Sequence, residues 1–270
     1  MGKKENHKRD LYALFVRFIE EGDEEQLFNY LIANSNLPGR RANLEMAAAF
    51  TEVIQESFIN KLSLIWNFCL KSINISEDKA PTNNPMEIIP FCGTWGLGVL
   101  GSISEVHFQE TVSLLQELAN DSRWRMREAV AFGIQKMLEQ YPQIMIQELK
   151  KWINRDNWLE MRAIVAGVAH PKFLLEYENA KSALELHKLI FEKIKTANDR
   201  RSEDFKTLRK GLSYTLSVVI CNIPEEGFQE LNTLIKTKDH DLLWILKNNL
   251  KKKRLTNAFP SKVKVLTKLI

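Results

Sequence analysis

The repeat that predicts the fold best begins at residue 121 and reads Asp121-Ser122-Arg123-Trp124-Arg125-Met126-Arg127-Glu128-Ala129-Val130-Ala131. It opens on an acid at a turn, continues with an aromatic residue, and places a basic residue six positions after the acid. The same spacing of acid and base occurs four times along the chain, as Asp121–Arg127, Asp156–Arg162, Glu203–Arg209 and Asp241–Lys247. Self-similarity at intervals of a few tens of residues predicts a stack of helical repeats.

The spacing of the four copies indicates what each repeat contains. By subtraction of the positions of their acids, the copies begin 35, 47 and 38 residues apart. Each interval fits one pair of helices, with an insertion in the middle copy. We expect the acid to cap a helix N-terminus and the basic residue to reach the acid of a neighbouring repeat. Between stacked pairs we expect an aromatic ring, at Trp124, Trp158, Phe205 and Trp244.

This pattern resembles the HEAT repeat, in which such Asp and Arg residues form ladders along the inner helices. The resemblance covers about residues 86–253 and implies an all-α fold, namely a right-handed, armadillo-like α-solenoid of HEAT-like helix pairs. Residues 1–75 are expected to form an N-terminal helical cap and residues 76–85 a connecting loop, because two prolines and Asn83-Asn84 interrupt the apolar period there. Residues 86–270 then hold the repeats, continuous with the cap as one elongated domain.

Apolar residues recur at spacings of three to four along most of the chain, which is the period of amphipathic helices. They predict helices over about 43–59, 61–73, 86–102 and 104–119, and one more within 172–198. The helix over 86–102 carries four glycines, at Gly93, Gly96, Gly98 and Gly101. We interpret them as contact points for neighbouring helices rather than as a phosphate-binding loop, because the stretch lacks the Lys-Ser/Thr ending of such loops.

Composition excludes several classes of protein. The 270 residues are 44% hydrophobic and 27% charged, which is ordinary for a globular chain, and only 11 glycines and 8 prolines disfavour an all-β fold. A net charge of +4 does not by itself indicate a polyanionic partner. We expect Cys69, Cys92 and Cys221 to be buried free thiols of a cytoplasmic protein, and we expect neither a metal site nor a cofactor. No apolar stretch is free of charges over the length of a membrane span.

A second, narrower resemblance points to a function. The stretch Leu149-Lys150-Lys151-Trp152-Ile153-Asn154-Arg155-Asp156-Asn157-Trp158-Leu159-Glu160-Met161-Arg162-Ala163 resembles a segment of the AlkD-like DNA alkylation repair glycosylases. Those enzymes are HEAT-like solenoids that hold duplex DNA in a basic concave cleft and excise cationic alkylated bases. Their site uses a Trp and an Asp one helical turn apart, an Arg on the next repeat, and a second Trp further along.

The resemblance implies a site at four positions of this chain. The first pair corresponds to Trp124 and Glu128, the arginine to Arg162, and the last aromatic to Tyr214. The acid is Glu rather than Asp and the last aromatic is Tyr rather than Trp, and a displacement of about 1 Å can reduce a rate about a hundredfold. In this interpretation Glu128 stabilises the developing sugar cation, the aromatic faces attract a cationic base, and Arg162 binds a phosphate.

Each of these residues also has a purely structural interpretation. Arg162 is explained as the ladder partner of Asp156, and Trp124 as packing between repeats. Glu128 is explained as a solvated acid on a helix face, and Tyr214 as a half-buried core aromatic.

The C-terminal part of the chain is rich in basic residues, which we interpret as a phosphate-contacting surface. The predicted nucleic-acid contacts are Arg127, Arg162, Arg209, Lys210, Lys247, Lys251, Lys252, Lys253 and Arg254. The alternative is a solvated helix end whose cations favour the C-terminal dipole. Arg40-Arg41 and Arg200-Arg201 are weaker instances of the same signal.

Together these patterns predict a monomeric HEAT-like repeat protein that binds duplex DNA on its concave face, with excision of alkylated bases as the activity that the resemblance implies. The alternative is a non-catalytic scaffold for protein–protein interaction. The two differ in whether Trp124, Glu128, Arg162 and Tyr214 converge on one wall with basic residues around it.

Overall fold

The computed structural model describes residues 2–270, apart from the side chain of Ile59, and within these residues it contains fifteen α-helices and no strand. The all-α prediction is therefore confirmed. The chain divides into two compact units, the first ending at Gln140 and the second running from Tyr141 to Ile270. The connecting loop predicted at residues 76–85 lies within the first unit, between its fourth and fifth helices.

The first unit contains seven α-helices. They are α1 (Lys3–Glu21), α2 (Glu24–Ala33), α3 (Leu44–Ser57), α4 (Leu62–Ile73), α5 (Ile88–Ile103), α6 (Glu105–Leu118) and α7 (Trp124–Gln140). Short 3₁₀ turns precede α4 and α5. The predicted helices over 43–59, 61–73, 86–102 and 104–119 correspond to α3, α4, α5 and α6, and their ends agree within about two residues.

The second unit contains the remaining eight helices. They are α8 (Pro142–Ile153), α9 (Trp158–Val168), α10 (Tyr177–Thr196), α11 (Glu203–Asn222), α12 (Pro224–Thr237), α13 (His240–Leu250), α14 (Lys253–Ala258) and α15 (Pro260–Thr267). The helix predicted within 172–198 is α10.

Odd-numbered helices pack against one another in series within each unit. In the first unit α1 contacts α3, α3 contacts α5, and α5 contacts α7, while α2, α4 and α6 pack against this row. In the second unit α9 contacts α11 and α11 contacts α13, with α10 and α12 packed against them. Each unit therefore has a row of odd-numbered helices and a flanking set of even-numbered ones.

The glycines of α5 let its neighbours approach closely, as the sequence predicts. A Cβ atom at Gly98 would lie 2.2 Å from the Cα atom of Gly133 on α7, and one at Gly93 would lie 2.7 Å from the Cβ atom of Ser72 on α4. Both distances are shorter than any real contact of a Cβ atom. The glycines therefore allow α5 to lie at the centre of the first unit.

This central position explains why α5 is so apolar. The helical segment Pro85–Ile103 has the length and mean hydropathy of a membrane span, and it is the only such segment in the described residues. Its most apolar 18-residue stretch is 83% buried. Its sides are covered by α3, α4, α6 and α7. Burial of this kind is what the core helix of a soluble protein shows.

The acid–base repeat marks the starts of odd-numbered helices, but its acids do not cap them as expected. The N-caps of α9, α11 and α13 are Asn157, Ser202 and Asp239, whose side chains accept backbone N–H groups of the first turn. The predicted cap Asp156 instead has a positive φ of 56° and pairs with the Nζ of Lys193 at 2.7 Å. The expectation of caps at Asp156, Glu203 and Asp241 was therefore wrong.

The contacts expected between copies are present in the second unit. The rings of Trp158 and Phe205 meet edge to face with centroids 5.4 Å apart, so the aromatic residues of consecutive copies pack together. The Nη1 atom of Arg209 lies 2.5 Å from Oδ1 of Asp241, the acid of the next copy. The guanidinium of Arg209 also lies 4.6 Å from the ring centroid of Trp244.

Candidate functional site

Trp124 and Glu128 lie one turn apart at the start of α7, as their spacing predicts. Both border a cavity of about 230 Å³, together with Arg40, Arg41 and an apolar part formed by Ala42 and Leu44. The Trp124 side chain is 41% exposed, which is unusual for a large aromatic residue in a well-packed helical unit. A carboxylate, an aromatic ring and two guanidinium groups therefore share one recess of the first unit.

Hydrogen bonds to Asn83 and Arg125 fix the loop that carries Arg40 and Arg41. The backbone N–H of Gly39 donates to Oδ1 of Asn83 at 2.9 Å, and the carbonyl oxygen of Gly39 accepts from Nη2 of Arg125 at 2.7 Å. Neither the Arg40 nor the Arg41 side chain forms an ion pair within residues 2–270. Backbone hydrogen bonds at Gly39 thus hold the loop in place, and the side chains of Arg40 and Arg41 are exposed to solvent.

Arg125 connects this loop to Trp124. Its Nη1 atom lies 2.9 Å from Oε2 of Glu87, and neither side chain is more than 3% exposed. Its Cζ atom lies 4.3 Å from the centroid of the Trp124 ring, so the guanidinium covers one face of the ring. The same buried arginine therefore contacts both the ring and the loop that border the cavity.

Arg127, expected to pair with an acid or to contact phosphate, has backbone partners. Its Nη1 atom donates to the carbonyl oxygens of Asp121 at 2.5 Å and of Ser122 at 2.9 Å. The carboxylate of Asp121 binds Arg123, with Oδ2 at 2.7 Å from Nη2. Hydrogen bonding to the charged carboxylate is the main reason that the pKa of Arg123 is raised. Arg127 thus helps to close the turn before α7, and the carboxylate of its own motif's acid, Asp121, binds Arg123.

Arg162 and Tyr214 belong to the second unit, on the contacting helices α9 and α11. Gly211, one turn before Tyr214, lies beside the Arg162 side chain, since a Cβ atom there would lie 3.5 Å from its Cγ, an ordinary van der Waals contact. Tyr214 is 38% exposed, which agrees with the half-buried aromatic of its structural interpretation. Of the four residues named by the resemblance, Trp124 and Glu128 therefore lie in the first unit, and Arg162 and Tyr214 lie in the second.

Arg209 and Lys210 differ in their surroundings. Arg209 is held by Asp241 and Trp244, which leaves it a structural role within the repeat. Lys210, the next residue on α11, is exposed to solvent. Arg209 and Lys210 were both predicted to contact phosphate, and of the two Lys210 is the one exposed to solvent.

The C-terminal basic residues form a surface at the junction of α13 and α14. Lys247 lies in the last turn of α13, Lys251 is its C-cap residue, and Lys252 precedes α14, which begins with Lys253 and Arg254. All are exposed except Lys252, which is half-buried, and none forms an ion pair within the described part of the chain. We call these five residues the C-terminal basic surface.

Sequence reasoning missed the residues that organise the cavity, namely Glu87, Asn83 and Arg125. Arg125 lies inside the repeat motif, but its neighbours Arg123 and Arg127 carry the same charge, and nothing in the spacing separates them. The one signal that could have found Glu87 is a single acid at the start of an otherwise apolar helix.

Within residues 2–270 no group of three His, Cys, Asp or Glu side chains is placed to hold a metal ion. Cys69 and Cys92 are buried free thiols, and burial raises the pKa of both. Cys221 is a free thiol that is only partly buried, in contrast to the expectation of burial for all three.

No family model, no curated protein and no solved structure matches this chain. The geometry of its own residues must therefore supply the argument for function.

Proposed function

We propose that this chain is an α-solenoid of HEAT-like helix pairs that binds nucleic acid, with duplex DNA as its ligand. The serial packing of odd-numbered helices within each unit supports the solenoid, because stacked helix pairs place one helix of each pair in such a row. The contacts of Arg209 with Asp241 and of Trp158 with Phe205 support the HEAT-like repeat, since both join one copy of the motif to the next.

The observation that carries the proposal of nucleic-acid binding is the C-terminal basic surface. Five cations fall within eight consecutive positions, 247–254, and none has an acidic partner among the described residues. Clustered Lys and Arg side chains attract the phosphate backbone and release its counterions, which is the main source of sequence-independent affinity for DNA.

The alternative explanation by helix dipoles accounts for only part of this surface. Lys247 and Lys251 lie at the C-terminal end of α13, where cations are favoured. Lys253 and Arg254, however, are the first two residues of α14, where the dipole disfavours positive charge. Their position is unfavourable for the helix itself, and a polyanionic ligand would offset that cost.

Base excision is a second step of the proposal and depends on the cavity of the first unit. Trp124 and Glu128 on one turn of α7 supply an aromatic face and a carboxylate at the same recess. A carboxylate so placed can stabilise the sugar cation that develops as a base departs. Arg162 and Tyr214 are the phosphate contact and second aromatic of this hypothesis.

A titration of duplex DNA against salt concentration tests the binding. The wild type should bind with a log–log slope of about −0.9 for each phosphate contact, and the variant Lys251→Glu with Lys252→Glu should bind more weakly with a flatter slope. Lys61→Glu with Lys79→Glu is the matched control, because both lysines are exposed and the change in net charge is the same. Equal losses of DNA affinity in the two variants would show that only net charge matters, which would contradict the proposal.

The alternative function, a protein-binding scaffold, is favoured by one other surface. A groove of about 530 Å³ lies between α12 and α15, with Phe228, Leu266 and the 61% exposed Val265 on its walls. Lys262 and Lys264 of α15 and its C-cap residue Lys268 are exposed. The occupant that fits this chemistry is an amphipathic helix with acidic residues beside its apolar face. Retained DNA affinity in the Lys251/Lys252 variant, with binding of an acidic amphipathic helix lost in Val265→Asp, would favour the scaffold.

A further inference from the structure

We infer that the cavity bordered by Arg40, Arg41, Trp124 and Glu128 binds a single nucleotide, with an uncharged base stacked on Trp124 and the phosphate held by the two arginines. This inference rests on the proposed nucleic-acid binding, and it adds the ligand chemistry of one site within it. It depends on the first unit alone, since every residue that borders the cavity belongs to that unit.

The ring of Trp124 has one covered face and one available surface. Arg125 covers one face at 4.3 Å, yet the residue remains 41% exposed and borders the cavity. An exposed aromatic ring with one face packed against a guanidinium group can serve as a stacking platform for a nucleobase, because every base has a π face. The ring belongs to the first residue of α7, a helix of 17 residues.

The arginine behind the ring determines which bases suit it. A cation over one face already uses the attraction of the ring's π electrons for positive charge. A second cation on the opposite face would gain less and would be repelled by the first, whereas an uncharged purine stacks without that cost. Any preference for a cationic base at this site must therefore come from the Glu128 carboxylate rather than from Trp124.

Arg40 and Arg41 supply the phosphate contact. They are consecutive, exposed, and without an ion pair in residues 2–270. Their loop is anchored at Gly39 by Asn83 and Arg125, so little backbone order needs to be gained on binding. The planar guanidinium group can donate two parallel hydrogen bonds to two oxygens of one phosphate. Two neighbouring arginines are therefore well suited to bind a single phosphate group.

The size of the cavity limits the ligand to about one nucleotide. Pockets that enclose a drug-sized ligand have volumes of about 300–1,000 Å³. The cavity here measures about 230 Å³, with Ala42 and Leu44 as its apolar part. One ring system and one phosphate match this recess, whereas a dinucleotide cofactor would extend well beyond it.

The test is a titration of the full chain with guanosine 5′-monophosphate at low salt, followed by tryptophan fluorescence and calorimetry. Guanosine and inorganic phosphate, each carrying half of the ligand, should bind at least about tenfold more weakly than the nucleotide. Trp124→Ala and Arg40→Ala with Arg41→Ala should each weaken nucleotide binding about tenfold or more, and Trp124→Phe should restore most of it. Tyr12→Ala, which removes an exposed aromatic outside the cavity, should have no effect.

The charge of the base is tested after the acid is removed. In a Glu128→Gln background, 7-methylguanosine monophosphate should bind no more tightly than guanosine monophosphate, and tighter binding would overturn the preference for an uncharged base. Failure of the wild type to bind the nucleotide, or equal binding by Trp124→Ala, would overturn the site itself. Duplex DNA binding measured on the same samples separates the two proposals, because binding through the C-terminal basic surface would persist if only the nucleotide site were wrong.

Discussion

The guanidinium of Arg125 and the carboxylate of Glu87 form a 2.9 Å ion pair from which solvent is excluded, with exposures of 3% and 0%. The pair joins the start of α7 to the start of α5, and through Asn83 and Gly39 it also holds the loop before α3. Because Arg125 stacks on Trp124 as well, the packing of the first unit and the shape of the candidate site depend on the same contact.

Removing one member of this pair should destabilise the protein strongly. Arg125→Met leaves the charge of Glu87 buried without its partner, which typically costs about 3–5 kcal/mol in the free energy of unfolding. Adding Glu87→Leu removes that charge and should recover most of the loss. Urea denaturation measures both variants. Arg40→Met, an exposed change of the same type, should alter the free energy by less than about 0.5 kcal/mol, and a loss at Arg125 no larger than this would contradict the role of the pair.

The sequence predicts the helices of this protein better than it predicts the contacts between them. Apolar periodicity locates α4 to within one residue, because one face of that helix is buried along its whole length. The caps were wrong for α9 and α13 because Asn157 and Asp239 lie one and two positions from the expected acids Asp156 and Asp241, and short polar side chains at nearby positions have similar capping propensity.

The candidate site shows the same limit. The spacing of four between Trp124 and Glu128 is a local property of one helix, so the sequence predicts that they share a face. The partnership of Arg125 with Glu87 spans 38 positions and has no periodic signature. Only the packing of α5 against α7 brings these two residues together.

Gly98 should not tolerate a larger residue. In Gly98→Ala the new Cβ atom would lie 2.2 Å from the Cα atom of Gly133, so α5 and α7 would have to move apart. Overpacking of this kind typically costs about 1–3 kcal/mol. The matched control is Gly211→Ala on α11, where the nearest heavy atom is 3.5 Å away and alanine should gain up to about 1 kcal/mol from helix propensity. Thermal unfolding should therefore shift in opposite directions, and equal shifts would contradict the close approach.

The buried histidine of α10 should make stability depend on pH. Burial lowers the pKa of His187 to about 4 from an ordinary value of 6.5, and the backbone carbonyl of Ala183 opposes the shift only in part. Because that carbonyl only accepts, Nδ1 carries the hydrogen and Nε2 accepts from the hydroxyl of Thr215 at 3.1 Å. The folded protein thus holds the neutral ring, whereas the unfolded chain binds a proton below about pH 6.5.

The sign of the effect follows from that difference in proton binding. Between about pH 6.5 and pH 4 the unfolded state binds more protons, so the free energy of unfolding falls as the pH falls, by roughly 3 kcal/mol in total. Above pH 6.5 this contribution is constant. His187→Gln keeps a polar side chain without a titrating group, and its stability should be flatter over this window. Parallel pH profiles for wild type and variant would show that His187 is not the group responsible.

The most specific prediction about chemistry concerns Glu128. If the protein excises bases, Glu128→Gln should reduce release of 7-methylguanine or 3-methyladenine from alkylated duplex DNA about a hundredfold, while DNA binding remains nearly unchanged. The amide keeps the shape of the side chain but removes the negative charge that matches the developing sugar cation, a loss of roughly 3 kcal/mol in the transition state. Since Arg125 already engages the ring of Trp124, this carboxylate is also the group that would favour a cationic base.

The wild type and one matched variant complete the test of Glu128. Glu110→Gln, at an exposed position on α6, should release base at the wild-type rate. Equal rates in wild type and Glu128→Gln would leave the enzyme but remove Glu128 from its mechanism. No release by the wild type would exclude excision of these two bases. The wild-type assay comes first, because this chain has Glu and Tyr where the glycosylases that it resembles have Asp and Trp. A shift of about 1 Å in the position of the carboxylate is enough to reduce the rate about a hundredfold.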